Sequence, residues 1–158
     1  MIIILNNIRS IQNVGSIFRT ADALDVEKIY CCGITPTPLD RFGRFEKMFS
    51  KTALGAERTM PWEKKKSAIR LIVSLKKEGY TIFAIEQSKK SLPYFKVRPT
   101  KRGLQKIALV LGHEVKGVSR AILKASDKIL EIPMGGAKES LNVAVSFGIV
   151  GFYLKYPR

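Results

Sequence analysis

The sequence predicts an α/β fold, a mostly parallel sheet flanked by helices. Short apolar runs of four to six residues, rich in Ile and Val, alternate with segments of helical periodicity. The order is strand, helix, strand, helix, and parallel neighbours need such a crossover between them. The length, 158 residues, is that of about one ordinary domain with a single core, so residues 1–158 read as one domain with no accessory domain.

The elements follow in order. Met1 to Leu5 reads as a buried first strand and runs into Asn6 and Asn7. Val14, Ile17, Phe18 and Ala21 then fall at i, i+3, i+4 and i+7 on one helical face. Asn13 stands at the N-cap position of that helix, and Arg19 points away from its apolar face. Lys28 to Cys32 is the second strand. Thr35 to Glu63 has no clear periodicity and holds three of the seven prolines. Ala68, Leu71, Ile72 and Leu75 repeat the helical spacing, with Lys64 to Lys66 at the start and Gly79 as the stop. Thr81 to Glu86 is the third strand, and Ser88 to Lys106 is again aperiodic. Ile107 to Leu111 forms the fourth strand, a short helix begins near Ser119, and Lys128 to Ile132 forms the fifth strand. Asn142 to Tyr156 is a helix apolar nearly all round, so it is either central in the fold or part of a dimer interface. Ligands of such a sheet bind at the carboxyl ends of its strands.

Charge narrows the partner class. The chain has 28 Lys and Arg against 13 Asp and Glu, a net +15, which points to a polyanion. Residues 1–34 carry three groups of each sign, residues 35–106 carry 18 basic and six acidic groups, and residues 107–158 carry seven and four. In the middle segment Arg41, Arg44, Lys47, Lys51 and Arg58 interleave with Phe42, Phe45, Phe49 and Trp62. Further on, Lys89, Lys90, Lys96, Arg98, Lys101 and Arg102 surround Tyr94 and Phe95. Cations hold phosphates and exposed aromatics stack on unpaired bases, so Arg41, Arg44, Lys47 and Lys51 are candidate RNA-binding residues. The plainer alternative for each is a solvated basic surface with its aromatics turned into the core.

Several classes are excluded. The N-terminus lacks a positive n-region, and the longest late apolar stretch, Val143 to Leu154, falls short of the roughly 20 residues that span a bilayer. A soluble, cytoplasmic protein with no membrane partner is expected. Cys31 and Cys32 are adjacent, so on a strand they face opposite ways and form neither an ordinary disulfide nor a metal site. His113 is the sole histidine, and no zinc spacing occurs, so no metal is expected. After the first strand no glycine appears until Gly15, against a Rossmann loop, and Gly112 to Gly117 lacks the ending of a P-loop.

Three polar, glycine-containing segments remain, all at strand ends. They are Asn13-Val-Gly-Ser-Ile-Phe-Arg19-Thr-Ala-Asp22, Leu109-Val-Leu-Gly-His-Glu114-Val-Lys-Gly117-Val-Ser119, and Ile132-Pro-Met-Gly-Gly-Ala-Lys-Glu-Ser140-Leu-Asn142-Val-Ala-Val. In order and placement they resemble the three signature motifs of the TrmH/SpoU family of RNA ribose 2'-O-methyltransferases in the SPOUT superfamily. Ser50-Lys-Thr-Ala-Leu-Gly-Ala56 is similar to a family segment between the first two. The resemblance implies S-adenosyl-L-methionine as cofactor, a C-terminal trefoil knot, a homodimer, and tRNA or rRNA as substrate, tRNA favoured. It implies Asn13, Arg19, Glu114, Ser140 and Asn142 around the reacting centre, and Ile85, Glu86, Gly112, Ile132, Met134 and Leu141 around the donor, with Gly112, Gly135 and Gly136 permitting close approach.

A guanidinium is effectively always protonated, so Arg19 is read as a phosphate clamp that stabilises the developing alkoxide, with Asn13, Ser140 and Asn142 orienting it. Proton loss goes to the RNA phosphate or to water. Glu114 is either catalytic or the holder of a loop amide. The competing class is a non-catalytic RNA-binding or assembly protein that keeps the fold; a flavodoxin-like small-ligand protein accounts for the sheet but not for the charge.

Overall fold

The computed structural model describes residues 1–97 and 106–156. The first half comprises β1 (Ile2–Asn6), α1 (Ile11–Ala23), β2 (Lys28–Cys32), α2 (Lys47–Ala53), α3 (Ala56–Thr59) and β3 (Trp62–Lys65). Then come α4 (Ala68–Lys77), β4 (Thr81–Ile85), the two-residue β5 (Leu92–Pro93) and a 3-10 turn at Tyr94–Lys96. The C-terminal part holds β6 (Ile107–Leu111), α5 (Arg120–Ala125), β7 (Lys128–Glu131) and α6 (Val143–Lys155).

All strand pairings are parallel, in the order β3-β2-β1-β6-β4-β7-β5. The expected α/β fold with a parallel sheet between helices is therefore present. β1 and β6 are central, with Ile3 opposite Leu109 and Leu5 opposite Leu111. Both are buried along their whole length, as continuous apolar runs must be when helices cover both faces. On one face, α1, α2 and α6 cover Ile3, Leu5, Ile29 and Leu109 with Ile17, Phe18, Phe49, Phe147 and Leu154. On the other, α4 and α5 cover Ile2, Ile4, Ala108 and Val110 with Leu71, Ile72, Leu75 and Ile122. Each large apolar side chain so buried contributes about 1.5–3 kcal/mol. Cys31 belongs to the first cluster and Cys32 to the second, both as free thiols, so the adjacent pair does face opposite ways. Burial pushes Cys31 up to about 12 and Cys32 to about 11.

Several boundaries differ from the sequence expectation. β1 runs one residue later, to Asn6, while β4 and β7 stop at Ile85 and Glu131. Asn13 is not the N-cap of α1: the Ser10 hydroxyl accepts from the Asn13 backbone amide at 3.2 Å, so the helix begins at Ile11. Asn13 thus sits inside the first turn with its side chain free to reach elsewhere. Lys64 and Lys65 belong to β3 rather than to a helix start, and Ser67 caps α4. Charged side chains guard a sheet edge against further pairing, which is why β3 carries no apolar alternation. In α6 one face packs inward through Phe147, Val150, Gly151 and Leu154, while Val145, Phe152 and Tyr156 are exposed. The helix is therefore not central within the chain. Among the described residues, no helix is long and apolar enough to cross a membrane.

Candidate active site

The carboxyl ends of β4, β6 and β7 lead into loops that hold one another. The loop after β6 folds back through a bridge between His113 and Gly117, the Gly117 amide donating to the His113 carbonyl at 2.8 Å. That return needs two glycines. Gly117 lies at φ +65°, and a Cβ on Gly112 would stand 2.5 Å from the Gly117 carbonyl carbon and 2.6 Å from the Val118 nitrogen. Gly112 thus leaves room for the protein's own backbone as well as for a ligand. Around Gly135 and Gly136 a Cβ would meet no protein atom, so the space beside them is open. The Glu86 carboxylate accepts from the Val118 amide at 2.6 Å and from the Gln87 amide at 3.0 Å. It therefore braces this loop while lining the cavity beside it. Gln87 Nε2 donates to the Glu139 carbonyl at 2.7 Å and ties the third motif segment to the end of β4.

These loops enclose a cavity of about 220 Å³. Ile85, Glu86, Gly112, Ile132, Met134 and Leu141, the residues that the resemblance assigns to the donor, all line it, and Glu114, Ser140 and Asn142 share the lining. Residues not anticipated include Leu111, His113, Leu130, Glu131 and Ser146. Leu111, Leu130 and Glu131 end strands beside residues that were named, so the carboxyl-end rule would have reached them. Ser146 is presented by the first turn of α6, which no strand-end signal marks.

At the cavity's edge a hydrogen-bonded row joins two helix starts. Glu114 accepts from the Ser10 amide (3.0 Å) and Asn13 Nδ2 (3.1 Å) on one oxygen, and from the Arg9 amide (3.0 Å) on the other. It thereby supplies the start of α1 with a capping-box carboxylate from about a hundred residues away in sequence. Asn13 Oδ1 accepts from Asn142 Nδ2 at 3.0 Å, and Asn142 Oδ1 caps α6 by accepting from the Ala144 amide at 2.8 Å and the Val145 amide at 3.4 Å. Burial by itself raises Glu114, but the amides of Arg9 and Ser10 and the Asn13 side chain outweigh it and hold the carboxyl below its ordinary range.

Arg19 is not brought to this row. It is exposed on α1, six residues beyond Asn13 or about 9 Å along the helix axis, and it does not line the cavity. The candidate RNA-binding residues lie on the segment that ends in α2. Asp40 accepts from the Phe42 and Arg44 amides and pairs with the Arg44 guanidinium at 3.1 Å, a tip that presents Phe42 to solvent. Arg41 and Arg44 stand 4.7 and 5.1 Å from the Phe42 ring centre, and Arg58 stands 4.6 Å from that of Phe45. Lys47 and Lys51 are exposed on α2. The aromatics divide: Phe42 and Phe45 are exposed, Phe49 is core and Trp62 is half-buried. Arg98, Lys101 and Arg102 lie outside the described residues.

An all-parallel α/β sheet with a ligand cavity at its strand ends, edged by an Asn-Glu-Asn row, defines a class of small-ligand-binding domain carrying an extended basic surface. Comparison with known proteins gives the family: the chain belongs to the SpoU rRNA Methylase family, whose model matches residues 1–152. It is 32% identical over 150 residues to the 23S rRNA (guanosine-2'-O-)-methyltransferase RlmB of Neisseria meningitidis serogroup B, a match covering 95% of this chain and 56% of that protein. It is 31% identical to the tRNA (guanosine(18)-2'-O)-methyltransferase of Aquifex aeolicus, covering 95% of this chain and 66% of the relative. The chain thus spans about half to two thirds of the length of these curated relatives. The SpoU methyltransferase AviRb from Streptomyces viridochromogenes, solved in complex with the cofactor AdoMet, superposes with a TM-score of 0.84 at 19% identity, covering 98% of this chain and 59% of that one.

Proposed function

We propose that the protein is an S-adenosyl-L-methionine-dependent methyltransferase that modifies a ribose 2'-hydroxyl of structured RNA, tRNA or rRNA, as a cytoplasmic homodimer. The observation that carries this reading is the Glu114-Asn13-Asn142 row lying at the edge of a cavity lined by Ile85, Ile132, Met134 and Leu141. Apolar walls suit the faces of an adenine, strand-end backbone suits its edge, and the carboxylates of Glu86 and Glu131 favour a cation, so the lining fits this donor. When bound, the donor supplies a methyl group on an electrophilic sulfonium.

The row sets the polarity of the site. Glu114 takes one N–H of the Asn13 amide, which turns Asn13 Oδ1 toward Asn142, and each amide nitrogen keeps one N–H without a partner among the described residues. Two donors so placed suit an oxygen that gains negative charge as its proton leaves. Glu114 is a poor base because its carboxyl is held below the usual range, so it acts as a positioning residue. Ser140 adds a hydroxyl on the same lining. Arg19, outside the cavity of its own chain, clamps RNA phosphate at a site completed by a second subunit, with the 2'-hydroxyl proton passing to the RNA phosphate or to water. The exposed face of α6 (Val145, Phe152, Tyr156) supports such pairing. The insertion of β7 between β4 and β5 accords with a knotted C-terminal part.

Incubation with the donor and total RNA, followed by digestion to nucleosides, yields a ribose-methylated nucleoside; a methylated base overturns the reaction. Arg19→Ala removes turnover while calorimetry finds donor binding near the wild-type level. Lost donor affinity with an intact rate per bound complex contradicts the role given to Arg19.

A further inference from the structure

We infer that a second cavity, adjoining the first, receives the base of the nucleotide whose ribose is methylated; this subsite rests on the methyltransferase reading above. The cavity holds about 580 Å³ and is lined by Asn6, Arg9, Ile34, His113, Val115 and Lys116. Its volume lies within the roughly 300–1,000 Å³ of small-molecule sites. His113 lines both cavities, so a ligand in one lies beside a ligand in the other.

Asn6 points to what binds. It ends the central strand β1, is only 9% exposed, and its side-chain amide makes no hydrogen bond among the described residues. Among the described residues no fully buried side-chain polar atom lacks a partner, so the unbonded Asn6 amide keeps some exposure, and Asn6 lines the cavity. A carboxamide offers donors and an acceptor in one plane, the pattern that matches a base edge. His113 Nδ1 accepts from the Val115 amide at 3.0 Å and the Lys116 amide at 3.3 Å, which leaves the ring proton on Nε2 as a further donor. Ile34 and Val115 are 64% and 88% exposed, two unpacked aliphatic side chains able to cover the faces of a planar ring. Arg9 and Lys116 supply the cations for flanking phosphates.

The geometry also ties this cavity to the reacting row. The Arg9 backbone amide donates to Glu114, which also holds Asn13, so a residue lining this cavity is bonded directly into the reacting row. A base inside a duplex cannot enter, so the substrate nucleotide is unpaired or extruded.

The test is an amide NMR titration of the wild-type protein, first with S-adenosyl-L-methionine and then with each of the four ribonucleoside 5'-monophosphates. At least one monophosphate is expected to shift Asn6, Ile34 and Val115, apart from the donor's shifts at Ile85, Ile132 and Leu141. Donor shifts without any monophosphate shift at this cavity overturn the subsite and leave the methyltransferase reading standing; absence of both overturns both. In a second arm, Val115→Asp, a change at an exposed position that the fold tolerates, raises KM for total RNA by about tenfold through repulsion of phosphate, with donor affinity as in wild type. An unchanged KM for RNA overturns the subsite.

Discussion

Replacing Glu114 by Gln removes a charge and turns one acceptor oxygen into a donor. The carboxylate holds the Arg9 and Ser10 amides and Asn13 Nδ2, all at 3.0–3.1 Å. A glutamine that keeps its carbonyl on Ser10 and Asn13 sets its NH₂ against the Arg9 N–H, and the opposite orientation gives up two bonds. A hydrogen bond to a charged group contributes about 1.5–3 kcal/mol. Glu114 is exposed, so solvent screens the charge and rehydrates the freed amide, which brings the loss to about 1–2 kcal/mol. For a chain of this length that lowers Tm by roughly 2–8 °C. The carboxyl is held below its ordinary value of 4.5, so its contribution is complete above that value and disappears as pH falls through the lower folded-state value. Thermal unfolding followed by circular dichroism therefore gives a gap between wild type and variant that is full at neutral pH and closes in acid. Equal Tm values at neutral pH, or a gap that widens on acidification, refute the argument. Turnover adds a readout that loss of stability alone would not move: with the Asn13 amide free to rotate, kcat falls about 10–100-fold at temperatures where the variant is fully folded, and donor affinity is retained.

The remaining predictions address the loop, the basic surface and the helix face. Gly112→Ala places a methyl group 2.5 Å from the Gly117 carbonyl carbon, so the loop must shift, at a cost of about 1–3 kcal/mol by chemical denaturation and with weakened donor binding by calorimetry; wild-type values for both would show that the loop is not closed as described. Phe42→Ala removes the exposed ring near Arg41 and Arg44 and weakens binding to single-stranded RNA by about 1–3 kcal/mol in filter binding, while the salt dependence of affinity stays steep because the cations remain. Phe152→Asp, a charge on the exposed face of α6, converts a dimer to a monomer in sedimentation; a wild-type protein that sediments as a monomer would remove the basis for that reading.

The reach of sequence reasoning varied with the locality of each signal. β6 was legible to the residue because a strand covered on both faces is an uninterrupted apolar run, and β2 because its Ile29, Cys31 and Cys32 are buried in a short apolar stretch. β3 was not, because an edge strand bearing Glu63, Lys64 and Lys65 reads as a charge run. α2 and α3 were missed because seven- and four-residue helices are too short to establish a period, and their junction relies on left-handed backbone at Leu54 and Gly55. Asn13 was read as a cap because Asn is a good one; the choice of Ser10 depends on which hydroxyl meets which amide.

By itself the sequence determined the alternation of layers, the opposed faces of Cys31 and Cys32, the concentration of positive charge between residues 35 and 106, and a set of motif residues at strand ends. Those properties are local, set by side-chain period and composition. Only the tertiary structure decided that Glu114 braces the start of α1, that Asn13 and Asn142 meet, that Arg19 stands apart from the cavity, and that Asn6 lines a second one. Each of these depends on the parallel sheet order, which sets β6 beside β1 and brings residues about a hundred positions apart within hydrogen-bond distance.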